Sequence, residues 1–355
     1  MTAPTPLSPQ IDPEHHDVVE NAIELKEVEG LSQGRIVLRR FVRHRGAIIA
    51  AAILTFVVLL ATTSIGWGPI PGWWKWTITD LPPIVDGGSP TLSFSGGLTV
   101  GEHPFGQDNL GKDVFALVMR GTQQSLLVMV VIGLVATVIG IALGALSGFF
   151  RGRTDNLLMR FTDMVITIPV IMIGAILGAW VGGASPFTLA IALALVSWTS
   201  MARLVRGEFL SLREREFVDA ARVAGASSGR IMFKHILPNA VGVIIVNSTL
   251  LMASAILLET ALSYLGFGIT YPDVSLGNLI NEYQTAFATR PWLFWWPGLF
   301  IVTIALCINF IGDGLRDAFD PRQRRVATRR ALSRAERRAA RDAGTDAAAP
   351  AAAGA

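Results

Sequence analysis

Cysteine is nearly absent: Cys307 is the only one in 355 residues, and it lies inside an apolar run. No intrachain disulfide can form, and no multi-cysteine zinc or iron–sulfur site can be built. The five histidines, His15, His16, His44, His103 and His235, are scattered and show no HExxH spacing, which argues against a metal or haem enzyme. Charge is scarce too. Asp, Glu, Lys and Arg make up 16% of the chain against 51% hydrophobic residues, whereas soluble domains carry about 25% charge. Mean hydropathy is +0.49, and the apolar residues gather into runs too long and too free of charge for a soluble core. Composition alone points to an integral membrane protein.

The start of a secretory signal is also missing. Residues 1–34 hold seven Asp or Glu, from Asp12 to Glu29, against one Lys, whereas a signal begins basic and ends at a small-residue cleavage site. An acidic extension that stays in the cytoplasm is expected there. From Arg35 to Arg45 a basic collar carries Ile36, Val37, Leu38, Phe41 and Val42 at apolar spacing, the pattern of a short helix lying along a membrane interface.

Uncharged runs then set the organisation. A helical span needs roughly 20 apolar residues, and the run over 46–65 supplies a first one, closing a segment 35–66. A polar stretch rich in Gly, Pro and Trp follows over 67–120, with Trp67, Trp73, Trp74 and Trp76 in the style of an interfacial aromatic belt. The second span is predicted over 121–150. Residues 161–202 contain Asp163 as their only charge and are long enough for two helices, with the break at Gly182-Gly183-Ala184-Ser185-Pro186. A fifth span is predicted over 240–265, with Glu259 as its lone charge, and a sixth over 292–311. The expected fold is therefore all-α and polytopic, with a transmembrane core over 121–313.

With the N-terminus inside and the spans alternating, the outer loops hold four basic residues, Lys75, Lys112, Arg120 and Arg290, of 30 in the chain. The short inner segments hold Arg151, Arg153 and Arg160, and seven more from Arg203 to Lys234. By the positive-inside bias both termini are cytoplasmic. The tail over 314–355 begins strongly basic and ends in an Ala-rich stretch. Such a segment is drawn to anionic lipid headgroups, and a solvated tail that reinforces topology is the other reading.

The loop between spans 4 and 5, about 207–239, is the most informative stretch. Phe217, Ala220, Ala221 and Ala224 fall at i, i+3, i+4 and i+7, which sets four small or apolar groups on one helical face. Gly225 then stops the helix, Ser227-Ser228-Gly229 makes a turn, and a second short helix leads through Leu237-Pro238 into span 5. The spacing Asp219-Ala220-Ala221, three residues, Gly225, nine residues, His235, one residue, Leu237-Pro238 resembles the "EAA" coupling loop of ABC-importer permeases. Lys234-His-Ile-Leu-Pro-Asn239, Leu262-Ser-Tyr-Leu-Gly-Phe-Gly268, Gly312-Asp-Gly-Leu-Arg-Asp-Ala-Phe-Asp-Pro321 and the segment from His103 to Phe115 are similar to the dipeptide/oligopeptide/nickel branch of that family. Within it the chain resembles the second, C-type permease subunit, over roughly residues 36–325. Asp219 departs from the general motif's Glu, and His235 from its Ile.

That resemblance implies a type I ABC-importer permease fold in the bacterial cytoplasmic membrane. It implies import of di- or oligopeptides, with a homologous second permease, two cytoplasmic ATPase subunits and an extracytoplasmic peptide-binding protein as partners. The loop would dock in an ATPase cleft, with Asp219, Ala220, Ala221, Gly225, His235, Leu237, Pro238 and Asn239 as the coupling residues. Small groups at Ala220, Ala221 and Gly225 would let two backbones approach closely, and Arg215 and Arg222 would add polar anchoring beside Asp219. The bilayer is the expected solvent; no cofactor, metal or nucleic-acid partner is expected, and the subunit itself is not an enzyme.

Residues Gly106 to Asp113 read G-x4-G-K-D, one residue away from a phosphate-binding loop. That loop needs Ser or Thr after Lys, and a strand leading into a helix; here Asp113 would set a negative charge beside the phosphates, so nucleotide binding is rejected. Asp163 and Glu259 are costly inside a bilayer, about 2.5–3.5 kcal/mol at mid-helix. Either they reach an interface or a neighbouring helix, or they relay protons. The second possibility belongs to the alternative function, an ion-coupled secondary transporter of small solutes. A membrane-bound enzyme would need a convergent nucleophile, base or metal cluster, and the spans contain none. Pro169 in span 3 permits a kink, and Gly133, Gly140, Gly144 and Gly148 in span 2 permit close packing.

Overall fold

The structure, a computed structural model, describes residues 33–93, 99–181 and 185–320. Nearly all of the acidic extension and most of the basic tail lie outside the described residues, as do 182–184 of the anticipated break. Among the described residues the chain is helical, with isolated bridges but no strand.

Helix α1, Gln33–Arg43, leaves Leu38 and Val42 exposed between its arginines. It ends at His44, whose Nδ1 accepts the Ala47 N–H at 3.0 Å and so caps α2, Arg45–Ser64. Helix α3 runs from Val114 to Phe150, 37 residues and about 55 Å long. That length exceeds a hydrocarbon core of roughly 30 Å. The onset falls at Val114 rather than at Gly121 because Asp113 caps the helix, accepting the Ala116 N–H at 2.8 Å.

Two broken pairs follow. Helices α4, Gly152–Thr167, and α5, Val170–Val181, bend by 76° at Ile168-Pro169. Proline lacks the N–H and forces the residue before it out of helical geometry, and Ile168 is extended. Helices α6, Pro186–Ser197, and α7, Thr199–Arg213, bend by 44° at Trp198. A short helix α8, Glu216–Val223, leads to α9, Leu237–Tyr264. Helices α10, Leu276–Tyr283, and α11, Trp292–Phe319, complete the order.

Four stretches, Arg45–Ser64, Val114–Phe150, Ser228–Tyr264 and Trp292–Phe319, are long and apolar enough to cross a membrane, and up to six are if each bent pair is one span. Helix α3 is the central post. Its buried residues at one end, Met119 among them, pack with Ile256 of α9, Leu276 of α10 and Leu293 of α11. Further along, Gly140, Gly144 and Gly148 face α7 so closely that a Cβ on Gly144 would lie 2.4 Å from the Ala202 carbonyl oxygen. Small residues four apart are what let two membrane helices touch along their backbones.

Candidate coupling site

The stretch after α7 folds as a knob at the end of the bundle where α3 stops. Val218 and Ala221 of α8 turn inward and join Phe149, Phe209, Ile231, Met232 and Ile236 in one buried cluster. Phe217, Ala220, Val223 and Ala224 face outward, Val223 being 90% exposed. The face read from the sequence is therefore split, and Ala221 belongs to the inner side: helix α8 must spend one of its small residues on the contact that fixes it. Asp219 forms an exposed ion pair with Arg222 at 2.8 Å.

Gly225 ends α8 in the left-handed region, at φ +76°. Its N–H donates to the Arg222 carbonyl at 2.9 Å and the Ala226 N–H to the Ala221 carbonyl at 3.0 Å, the paired bonds of a Schellman cap. Among the described residues, nothing beyond its two chain neighbours comes within 4 Å of where a Cβ would stand. The glycine is needed here for backbone conformation.

Ser227 then caps the next turn, accepting the Arg230 N–H. No separate second helix forms. Residues Ser228–Arg230 pass through a π-turn, Ile231–Ile236, directly into α9. Pro238 is the reason. It cannot donate to a carbonyl one turn back, and its ring crowds that carbonyl; widening the preceding turn relieves the conflict. The Leu237 N–H reaches the Met232 carbonyl, and the Asn239 side-chain amide donates to the His235 carbonyl at 2.6 Å. Leu237, Pro238 and Asn239 thus shape the knob's join to α9, and His235 is half-buried beside them.

Charged contacts that the sequence did not disclose brace the knob. Arg151, at φ +55°, pairs with Glu214 at 2.6 Å. The Arg213 guanidinium donates to the Phe149 carbonyl and stands over the Phe149 ring. Arg206 of α7 grips Asp155 of α4 through two bonds at 2.6 and 2.7 Å, and Ser147 of α3 donates to the same carboxylate. A lone acid among Arg151, Arg153 and Arg160 was the one available signal.

The other polar residues fall into place. Asp163 pairs with Arg203 of α7 at 2.6 Å. Glu259 is buried and accepts the Ser125 hydroxyl of α3 at 2.9 Å and the Ser263 hydroxyl at 2.7 Å. Both reach a neighbouring helix. The segment from Gly106 to Asp113 is a structural corner. Asp113 takes the α3 cap, the His103 ring at 2.7 Å and the Trp74 indole N–H at 2.9 Å. Asp108 accepts the N–H groups of Leu110 and Lys112, and the Tyr283 hydroxyl at 3.0 Å. Burial foremost, with Asp108 adding to it, keeps that phenol protonated and donating. On the same side Arg120 holds Asp273, which also accepts from Gln124 at 3.1 Å.

Residues 140–325 match the family described as binding-protein-dependent transport system inner membrane component, and 32–70 match the N-terminal transmembrane domain of oligopeptide transport permease C. These matches define a multi-pass permease subunit of the inner membrane, a transport component of ABC importers and not an enzyme. The oligopeptide transport system permease protein OppC of Mycobacterium tuberculosis is 38% identical over 301 residues, 83% of this chain and 97% of that protein. Its counterpart in Haemophilus influenzae is 36% identical over 306 residues, 86% of this chain and 94% of that protein. A putative peptide permease of Brucella suis is 38% identical over 285 residues, covering 80% and 89%. The chain belongs to the OppC-type oligopeptide permease family. An inward-facing structure of the MetNI methionine ABC transporter aligns with 57% of this chain and 97% of its own, at 20% identity and a TM-score of 0.48.

Proposed function

We propose that this subunit forms half of the transmembrane pathway of an ATP-driven importer of di- or oligopeptides, and that the knob over 214–239 couples it to separate ATPase subunits. A homologous second permease supplies the other half, and an extracytoplasmic binding protein delivers the peptide. Each bent pair counts as one span in this reading, giving six, with the knob and both termini in the cytoplasm. The basic excess on the short segments at the knob's end supports that orientation.

One observation carries the coupling role. The inner face of α8 is locked into the α3–α7 joint while the outer face presents Phe217, Ala220, Val223 and Ala224 to solvent. Such an apolar face on a braced element is what a partner's cleft would cover. The secondary-transporter alternative loses its support, because Asp163 is paired with Arg203 and Glu259 is bound by two serines.

The test is co-purification with the ATPase subunits and peptide-stimulated hydrolysis, comparing wild type with Ala220→Arg. Arginine keeps helix propensity but fills the outer face with a long cation. Expected are loss of most bound ATPase and of the stimulated hydrolysis, with an unchanged melting temperature. Wild-type retention and stimulation in the variant would remove the knob from the interface.

A further inference from the structure

Both breaks in the helical pairs meet at one cavity. It measures about 440 Å³; its polar lining is Ser197, Thr199 and Ser200 at the α6–α7 break and Asn247 and Ser254 of α9, and the other seven of its twelve lining residues, Val170 at the α4–α5 break among them, are apolar. These α9 positions fall in the middle third of Leu237–Tyr264, so the cavity lies near mid-membrane. Broken backbone at that depth is tolerated where it is buried in protein or lines a water-filled space. The hydroxyls of Thr199 and Ser200 make no hydrogen bond among the described residues, those of Ser197 and Ser254 donate to the Leu193 and Leu250 carbonyls, and the lining contains no charged side chain. Asn247 donates one amide N–H to the Val243 carbonyl, which leaves its second N–H as a donor and its oxygen as an acceptor. The nearest charges along α4 and α7, Asp163 and Arg203, are joined to each other.

Resting on the importer reading, we propose that this cavity is a water-filled stretch of the translocation path. Its uncharged wall is mostly apolar, and Thr199, Ser200 and Asn247 on it hydrogen-bond the peptide backbone of the passing substrate while the wall stays indifferent to side-chain charge. Hydroxyl and amide groups can both donate and accept, so they serve any sequence of peptide units, whereas a fixed charge would reject half of the charged side chains. Charge selection then belongs to a step before this wall.

The assembled complex in proteoliposomes tests this in two arms. In a Cys307→Ala background, Ser200→Cys and Ser254→Cys are treated with a membrane-impermeant methanethiosulfonate reagent, with Phe56→Cys on α2 as the lipid-facing control. The cavity thiols are expected to be modified and the control spared. Separately, uptake of a cationic and an anionic tripeptide is compared at saturating binding protein for Ser254→Lys and Ser254→Asp. The cationic-to-anionic ratio should fall on the order of tenfold for Lys and rise similarly for Asp. ATP-driven uptake with unreactive cavity thiols, or with ratios unmoved by either charge, overturns the cavity and leaves the importer standing. No ATP-driven uptake by the wild-type complex overturns both.

Discussion

Glu259 is a carboxyl group closed off from solvent, and what it holds decides what its loss should do. It ties Ser125 on α3 to Ser263 on its own helix, and Ser263 in turn accepts the Ile269 N–H at 3.2 Å. Glu259→Ala strips both hydroxyls of their acceptor, at about 1–3 kcal/mol for each group left unpaired. Glu259→Gln keeps the shape and an acceptor oxygen. Thermal melts in detergent should therefore show a clear loss for Ala and a small one for Gln; equal midpoints would mean the carboxyl holds nothing. Gly225 poses the opposite case, with space available and conformation limiting. Gly225→Ala should cost about 1–2 kcal/mol because an L-residue resists the left-handed region, whereas Asn visits it readily. Amide exchange across 216–231 should rise with Ala and stay low with Asn. If both substitutions behave alike, the cap is not what the glycine provides.

At the scale of elements, the α3–α7 joint is a contact that a single added methyl group would disturb. Gly144→Val would drive a branched side chain into the Ala202 carbonyl and the Val205 Cβ, the latter 2.8 Å from the first new atom. Overpacking of that kind costs about 1–3 kcal/mol or more, and here it separates two helices. The expected outcome is a lower melting temperature together with weakened peptide-stimulated hydrolysis, although Gly144 lies away from the knob. Wild-type values for both would show that the joint yields freely. This contact also marks where the sequence was legible and where it was not. The glycines at four-residue spacing announced a close partner, because that periodicity is local. Their partner helix, and the 44° bend at Trp198, were hidden, because nothing between Thr188 and Ala202 carries a proline or glycine to signal a break. Pro169 did signal its bend. Helix α10 went unread within a polar loop, since eight residues held by Ser275 and by packing on α3 and α11 leave little periodic trace. In the knob, the Gly225 stop and the Leu237-Pro238 join were readable as chemistry. The inward turn of Ala221 was not, because a helical face read alone does not say which side the rest of the protein occupies.

Across the whole molecule, α7 touches both ends of the machinery, as α3 and α9 also do. Thr199 and Ser200 at its start line the mid-membrane cavity, Arg206 in its middle is gripped by Asp155, and Phe209 near its end sits in the knob's core. Its 15 residues make a rod of about 22 Å. A rod transmits displacement only while its hydrogen bonds hold, so softening it should separate the two ends without disturbing either. Gly207 allows this to be examined cleanly, because among the described residues nothing outside its own helix backbone and chain neighbours lies within 4 Å of its would-be Cβ. Gly207→Ala removes a flexible residue and should add about 0.5–1 kcal/mol of stability, with uptake retained. Glu208→Gly places two glycines in succession, at roughly 1 kcal/mol, and Gly207→Pro breaks the helix at about 3 kcal/mol. Across this series the ATPases should remain bound, since the knob's outer face is untouched. Peptide uptake per ATP hydrolysed should fall from Ala to wild type to Glu208→Gly, and collapse with Pro. The glycine pair guards against simple misfolding, because its cost is small enough for the complex to assemble. Uptake per ATP that stays constant while the rod softens would show that motion reaches the cavity by another route, through α9 and the π-turn at Ile231–Ile236.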